Sequence, residues 1–517
     1  GMDRRLTAEF SSPRGDRRAL CRLYPKLSFF FDGTGNNLYQ ELEKPAREQA
    51  LSNVAKLYLA AINDRIGQGA TPTYIPGVGT PYRIPRHDPE FTGLLLDDHG
   101  GPAGLGLGLG GRMRIDSALA EFAMILERDW SPQAQQHMQC ISLAVFGFSR
   151  GATEARAFVR QLLARCVRAD GQLYWVARNL RRIPLRITFL GLFDTVASVG
   201  GPSLHLDWGA ELAIPPEVER CVHYVAAHEV RQAFPLDSVR VGRAWPANCE
   251  EVVYPGVHSD VGGGYAPDVQ GRSNLLSRIP LRHMYAEALQ AGVPLRAPDK
   301  LSADLQTYFL LANDDPVVAL YQSYMSTLPA TENDVEALIQ SHRRLLFQWR
   351  GALARRGDDA RVLGRLYGQP GVSASACLAV QATTDQDHPE CAPSEWKYAI
   401  PRSPERQAVQ LLGEQRRLMQ RVAFLRNPVE GNHGNRDWPP PPPRQRTAYE
   451  DLILSAWDTT AAVPPAVDGL LAEHVHDSVA HFTSWPCALY DPRGMYCDQV
   501  RYHAARPWLG HRPVVVT

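Results

Sequence analysis

The run from Cys140 to Arg156 constrains the fold of this chain more than any other. An apolar stretch, Ile141-Ser142-Leu143-Ala144-Val145-Phe146, ends in Gly147-Phe148-Ser149-Arg150-Gly151 and passes into a segment of helical character. This is the pattern of a nucleophile elbow. A serine on a sharp strand-to-helix turn is pushed out of the sheet, and glycines flanking it let the two limbs of the chain approach closely enough for the bend. The following helix points its N-terminus at the same place, where unpaired backbone N–H groups could meet an oxyanion.

Composition bounds the setting. The chain has 517 residues and is 44% hydrophobic, enough for a large core. Lysine plus arginine and aspartate plus glutamate stand at 55 each, so no global field favours nucleic acid or an anionic membrane. No apolar run reaches the roughly 20 residues that span a bilayer, and the arginine-rich stretch Gly1 to Arg18 has no hydrophobic signal core. We therefore expect a protein made in the cytoplasm without a cleaved signal. Nine cysteines without paired spacing argue for buried thiols over disulfides or a zinc site.

Along the first half, short apolar runs alternate with helix-like stretches and stop at polar, glycine-rich turns. Leu27 to Phe31 ends at Asp32-Gly33-Thr34-Gly35-Asn36-Asn37, and Tyr74 to Thr80 follows a helical pattern over Leu51 to Ile66. Leu185 to Phe193 ends at Asp194-Thr195, and Glu251 to Tyr254 ends at Pro255-Gly256-Val257-His258-Ser259-Asp260. This alternation implies an α/β fold with a mostly parallel sheet covered by helices on both faces, and with ligands beyond the carboxyl ends of the strands. Residues 1–275 are expected to form the first part of the core. Helical patterns over Ile279 to Ala291, Leu301 to Ala312, Thr331 to Arg355 and Ser403 to Arg426 mark 276–430 as a lid-like helical insertion. Residues 431–446, with Pro439 to Pro443, read as a linker. Residues 447–517 are expected to complete the core and to supply a histidine from Glu473-His474-Val475-His476-Asp477-Ser478. The glycine alternation within Gly100 to Gly111 lacks the lysine of a phosphate loop and reads as an apolar loop beside the pocket.

Four motifs in order, Phe31-Asp32-Gly33-Thr34-Gly35-Asn36, Gly147-Phe148-Ser149-Arg150-Gly151-Ala152, Phe193-Asp194-Thr195-Val196-Ala197-Ser198 and Pro255 to Tyr265, resemble the signatures of the α/β-hydrolase domain of type VI secretion lipase effectors and their relatives. The resemblance covers about Lys26 to Leu295. It implies an α/β-hydrolase-like fold and hydrolysis of a phospholipid or another acyl ester, with transient contact to a membrane surface. It also implies a secretion-spike or adaptor protein for delivery into a target-cell periplasm, and an immunity protein in the producing cell. No cofactor is expected, and the balanced charge argues against a nucleic acid partner. A carboxylesterase of small esters and a non-catalytic adaptor on the same scaffold stay open as alternatives.

Ester cleavage by Ser149 needs a histidine to take its proton and a carboxylate to hold that histidine. Chain order in such hydrolases runs serine, acid, histidine. We read Asp260 as the acid and His476 as the base, with Asp194 as the rival acid. His258 is a rival base, and His474 and His481 are the closer competitors to His476. If the strand before His258 continued, His258 and Asp260 would point the same way and could not bond each other. The backbone N–H of Arg150 is one expected oxyanion donor, and Gly33 or Thr34 the other. No metal site is expected, since no carboxylate or cysteine cluster accompanies the three histidines.

Overall fold

Six runs of β-branched, aromatic and aliphatic residues pair as one parallel sheet. The computed structural model describes residues 22–82, 98–99, 110–127, 130, 132–197, 207–209, 211–231, 234–241, 245–309, 311, 315–329, 335–372, 403–427 and 446–480. Its strands are β1 (Lys26–Phe31), β2 (Ala70–Ile75), β3 (Pro81–Tyr82), β4 (Asp98–His99), β5 (Ile141–Phe148), β6 (Val167–Ala169), β7 (Gln172–Val176), β8 (Arg182–Phe193), β9 (Cys221–Ala226) and β10 (Cys249–Tyr254). The parallel strands run in the order β10-β9-β8-β5-β1-β2, with β7 antiparallel on the start of β8, β6 on β7, and a separate β3–β4 ribbon. From β1 the chain steps outward to β2. It then returns to β1's other side as β5 and continues outward through β8, β9 and β10. The direction of winding thus reverses between β1 and β5, and a parallel sheet opens a crevice beyond the carboxyl ends of its strands at such a point. Gly33 and Thr34 follow β1, and Ser149 follows β5, so both meet at this crevice.

Alternation along β1 feeds the two faces. Phe29 and Phe31 pack on one side with Phe122 of α2 (Gly111–Glu127) and Phe158 of α3 (Arg150–Ala164). Phe30 points to the other side, stacked on Phe146 at 4.8 Å and met edge-on by Tyr58 of α1 (Asn53–Ala60). That second face continues directly into the helical region. Its apolar cluster takes in Met284 of α5 (Arg278–Gln290), Tyr324 of α6 (Pro316–Met325), Leu338 and Trp349 of α7 (Val335–Arg356), Leu411 of α8 (Pro404–Arg426) and Leu470 of α10 (Pro465–Glu473). A satellite cluster of Phe347, Val422, Leu425, Ile453, Ala456 and Trp457 joins α7 and α8 to α9 (Ala448–Trp457). The helix α5, expected in the insertion, lies on the sheet itself, with Met284 against Gly191 of β8.

Local signals explain several boundaries. The helical pattern over residues 51–66 shortens to Asn53–Ala60 because Ser52 caps its start through the N–H of Ala55, and Ala61 turns out to pair with Leu295. The glycine alternation at 104–108, Pro439 to Pro443 and His481 lie outside the described residues.

A buried chain of hydrogen bonds ties the sheet to the helical region. The N–H of Gly256 donates to Nδ1 of His228 at 2.9 Å, so in the neutral ring Nε2 carries the hydrogen and faces the Tyr324 hydroxyl at 3.2 Å. Tyr324 in turn donates to Nδ1 of His342 at 2.8 Å. Burial pushes His228 down to about 4 and holds His342 well below the ordinary histidine value. Folding therefore favours both rings neutral. As pH falls below the unfolded value near 6.5, the unfolded chain gains protons that the folded one refuses, and stability is lost between about 6.5 and 4. For His228 alone the loss is on the order of 3 kcal/mol. Urea midpoints measured from pH 7 to pH 4 should fall over that window, and His342→Phe should make the fall shallower. A slope unaltered in that variant would contradict the assignment.

Candidate active site

Ser149 sits at the end of β5 with φ 58° and ψ −127°, a backbone conformation costly for any residue but glycine, on the order of 1–3 kcal/mol. Neighbouring backbone holds it there. Its N–H donates to the carbonyl of Phe193 at 3.0 Å, and its carbonyl accepts from the N–H of Val196 at 3.3 Å. Glycine at 151 is required by space: a Cβ there would lie 2.2 Å from the carbonyl oxygen of Asp32. The helix α3 can thus begin directly against the turn after β1, with Arg150 as its first residue.

That turn is organised by Asp32. Its buried carboxylate accepts from the N–H of Gly33 at 2.7 Å and from the Tyr74 hydroxyl at 2.5 Å, and burial lifts its pKa to about 6. Gly33's N–H is therefore already engaged, whereas no acceptor among the described residues meets that of Thr34. The Thr34 hydroxyl accepts from Nε of Arg150 at 2.7 Å, which ties the two turns together.

Two aspartate–histidine pairs surround the carboxyl ends of the strands. Asp194, directly after β8, accepts from the N–H of Ala226 at 2.9 Å through one oxygen and meets Nδ1 of His258 at 2.6 Å through the other. Its loop is braced from below by His223, whose Nε2 accepts from the N–H of Thr195 at 3.1 Å. Asp260 meets Nδ1 of His476 at 2.6 Å and accepts the backbone N–H groups of Val257 and His476. His258 and Asp260 both belong to α4 (His258–Gly262). The stretch after β10 is thus a helical turn and not a continuation of the strand. Two residues along a helix differ by about 200°, so the two side chains point apart and each finds its own partner.

The pairs differ in their relation to Ser149. The His258 ring packs on Phe148, the residue before the serine, with centroids 4.6 Å apart, and Asp194 lies between Phe193 and Val196, which hold the serine's backbone. α4 comes this close because Gly262 has no side chain; a Cβ there would lie 2.0 Å from the Phe148 ring. The His476 ring is stacked on Tyr265 at 4.0 Å, and its Nε2 is buried with no hydrogen-bond partner. The structure thus joins Asp260 to His476 but does not bond His476 to Ser149. His474, the other candidate, caps the end of α10 with Nδ1 buried and unbonded. Sequence reasoning had no signal for Glu229. Its carboxylate accepts from Arg231, from the Ser478 hydroxyl at 3.0 Å and from the N–H of His258 at 3.3 Å. The ion pair with Arg231 outweighs burial and lowers its pKa to about 2.

A buried serine on a strained elbow, the turn after β1 and two histidines each paired with a carboxylate thus gather at the carboxyl ends of the strands. Residues 168–287 match the family model described as "T6SS, Phospholipase effector Tle1-like, catalytic domain". That segment contains Asp194, Asp260 and His258. Among solved structures, the chain is similar to an uncharacterised protein from Pseudomonas aeruginosa, with 24% identity, a TM-score of 0.63 and coverage of 90% of this chain and 79% of that one. That likeness shows a shared fold. A Tle1 effector bound to the VgrG spike of the type VI secretion system aligns at 19% identity and a TM-score of 0.39, over 61% of this chain and 82% of that one. No curated protein sequence matches the chain.

The close approach of α3 to β1 sets an expectation. Gly151→Ala drives a methyl group into main-chain oxygens of Phe31 and Asp32, which cannot move without parting strand and helix. It should lower stability by at least about 1–3 kcal/mol. An unchanged urea midpoint would contradict the described packing.

Proposed function

We propose that this protein is a serine esterase of the α/β-hydrolase type acting on phospholipids, delivered as an effector of the type VI secretion system. The match of residues 168–287 to a phospholipase effector catalytic domain supports the substrate class and the route of delivery. The observation that carries the chemistry is the 2.6 Å pair between Asp194 and His258, set on the residues adjoining Ser149. In this reading the base and acid are His258 and Asp194, so the chain order serine, acid, histidine is kept. Asp260 and His476 brace the helical turn that carries the base.

The steps follow from the geometry. Asp194 holds the Nδ1–H of His258 and leaves Nε2 to take the proton of the Ser149 hydroxyl as it attacks the ester carbonyl. The developing oxyanion is met by the N–H of Arg150, at the positive end of α3, and by that of Thr34. His258 returns the proton to the departing alcohol, and water, activated by the same histidine, releases the acid and frees Ser149. The structure shows no hydrogen bond from the Ser149 hydroxyl to either imidazole. Such bonds commonly tighten only when substrate is bound.

Ser149→Ala should leave the urea midpoint nearly unchanged while reducing fatty acid release from phospholipid vesicles by at least ~1000-fold. Full activity in that variant would overturn the assignment of the elbow. Activity on soluble short-chain esters but none on phospholipid would confine the protein to small esters.

A further inference from the structure

The Asp260–His476 pair takes no part in the proposed reaction, yet it has the form of a working acceptor. Asp260 accepts two backbone N–H groups and meets the ring nitrogen of His476 at 2.6 Å. Nδ1 of His476 then carries the hydrogen, and in the neutral ring Nε2 presents a lone pair. That atom is buried with no hydrogen-bond partner, a state that costs on the order of 1–3 kcal/mol. His476 lines a cavity of about 120 Å³ between the sheet's loops and the helical region. Leu346, Phe347, Leu418 and Ile453 form its apolar wall.

Several other polar groups in the wall are already engaged. His228 uses both ring nitrogens, on Gly256 and Tyr324. Arg350 is paired with Asp477 at 2.6 Å, and the Ser478 hydroxyl is given to Glu229. Burial raises Glu414 to about 7, and its carboxylate accepts from Arg417. An apolar wall with an unused lone pair on His476 favours a ligand that brings a donor. A cavity of this volume is comparable with the ~150 Å³ that admits benzene, so it takes a ligand about the size of a single ring.

We propose that this cavity is a second ligand site, separate from Ser149, for a small apolar group bearing one hydroxyl, which donates to Nε2 of His476. A free alcohol and either free hydroxyl of a short monoacylglycerol share this donor chemistry. Because Asp260 and Ser478 also brace the turn carrying His258, an occupant would sit against the support of the proposed base.

The test is binding to the full chain carrying Ser149→Ala, so that no ester is consumed and the result does not depend on activity. Titration calorimetry would compare p-cresol with toluene, and 1-hexanol with glycerol monobutyrate. The hydroxyl of p-cresol should tighten binding about tenfold over toluene, the worth of one buried hydrogen bond. The p-cresol preference should vanish in His476→Asn, whose shorter amide can still donate to Asp260 but places no acceptor at the position of Nε2. Leu418→Trp, which fills the cavity without touching the pair, should abolish binding altogether. Binding of 1-hexanol alone would assign the site to free alcohols, and binding of monobutyrin to lipid glycerol. Equal affinity for p-cresol and toluene, binding of none of the four, or p-cresol binding that survives Leu418→Trp would overturn the proposal.

Discussion

Parallel pairing of β5 between β1 and β8 is the constraint on which the rest depends. It brings Phe31 opposite Gly147 and Phe193 opposite Phe148, so the three loops that follow these strands emerge side by side. The strained backbone of Ser149 persists because this pairing over-determines it: Phe193 and Val196 bond its peptide groups, and Gly151 lets α3 seat against Asp32. Slipping β5 by one residue would exchange the Phe146 and Val145 faces and lift the serine out of the crevice.

Around this frame, one helical turn serves two aspartate–histidine pairs. α4 sends His258 toward Asp194, which is anchored to β9 through Ala226. It sends Asp260 the other way, to the C-terminal segment at His476. Glu229 adds a third link, joining the backbone of His258 to Ser478. The helical region is therefore continuous with this site, both through these bonds and through the apolar cluster it shares with Phe30 and Phe146.

The elbow, the polar turn after β1 and the parallel character of the sheet were legible in the sequence, because each depends on local chemistry: glycine at tight approaches and apolar runs of strand length. β9 was not foreseen. Its six residues carry His223 in the middle, and only the structure shows that this ring is spent on the backbone of Thr195. α6 was missed for a similar reason, since its Asp315-Pro316 start resembles a turn until Asp315 is seen to cap it. The partners of the two histidines were beyond the sequence because they hinge on whether residues 258–260 are extended or helical. Spacing of two puts side chains together on a strand and apart on a helix. The order Ser149, Asp194, His258 satisfies the chain-order rule as well as the order with Asp260 and His476, so that rule could not decide.

The claim that His258, and not His476, serves Ser149 can be measured at the serine itself. Rate constants for labelling of Ser149 by a fluorophosphonate would be compared between His258→Ala and His476→Ala, with the site of attachment confirmed by mass spectrometry. The structure leads us to expect a fall of at least ~1000-fold for His258→Ala, exceeding that for His476→Ala by ~100-fold or more. The reverse order, with labelling retained in His258→Ala and lost in His476→Ala, would contradict it.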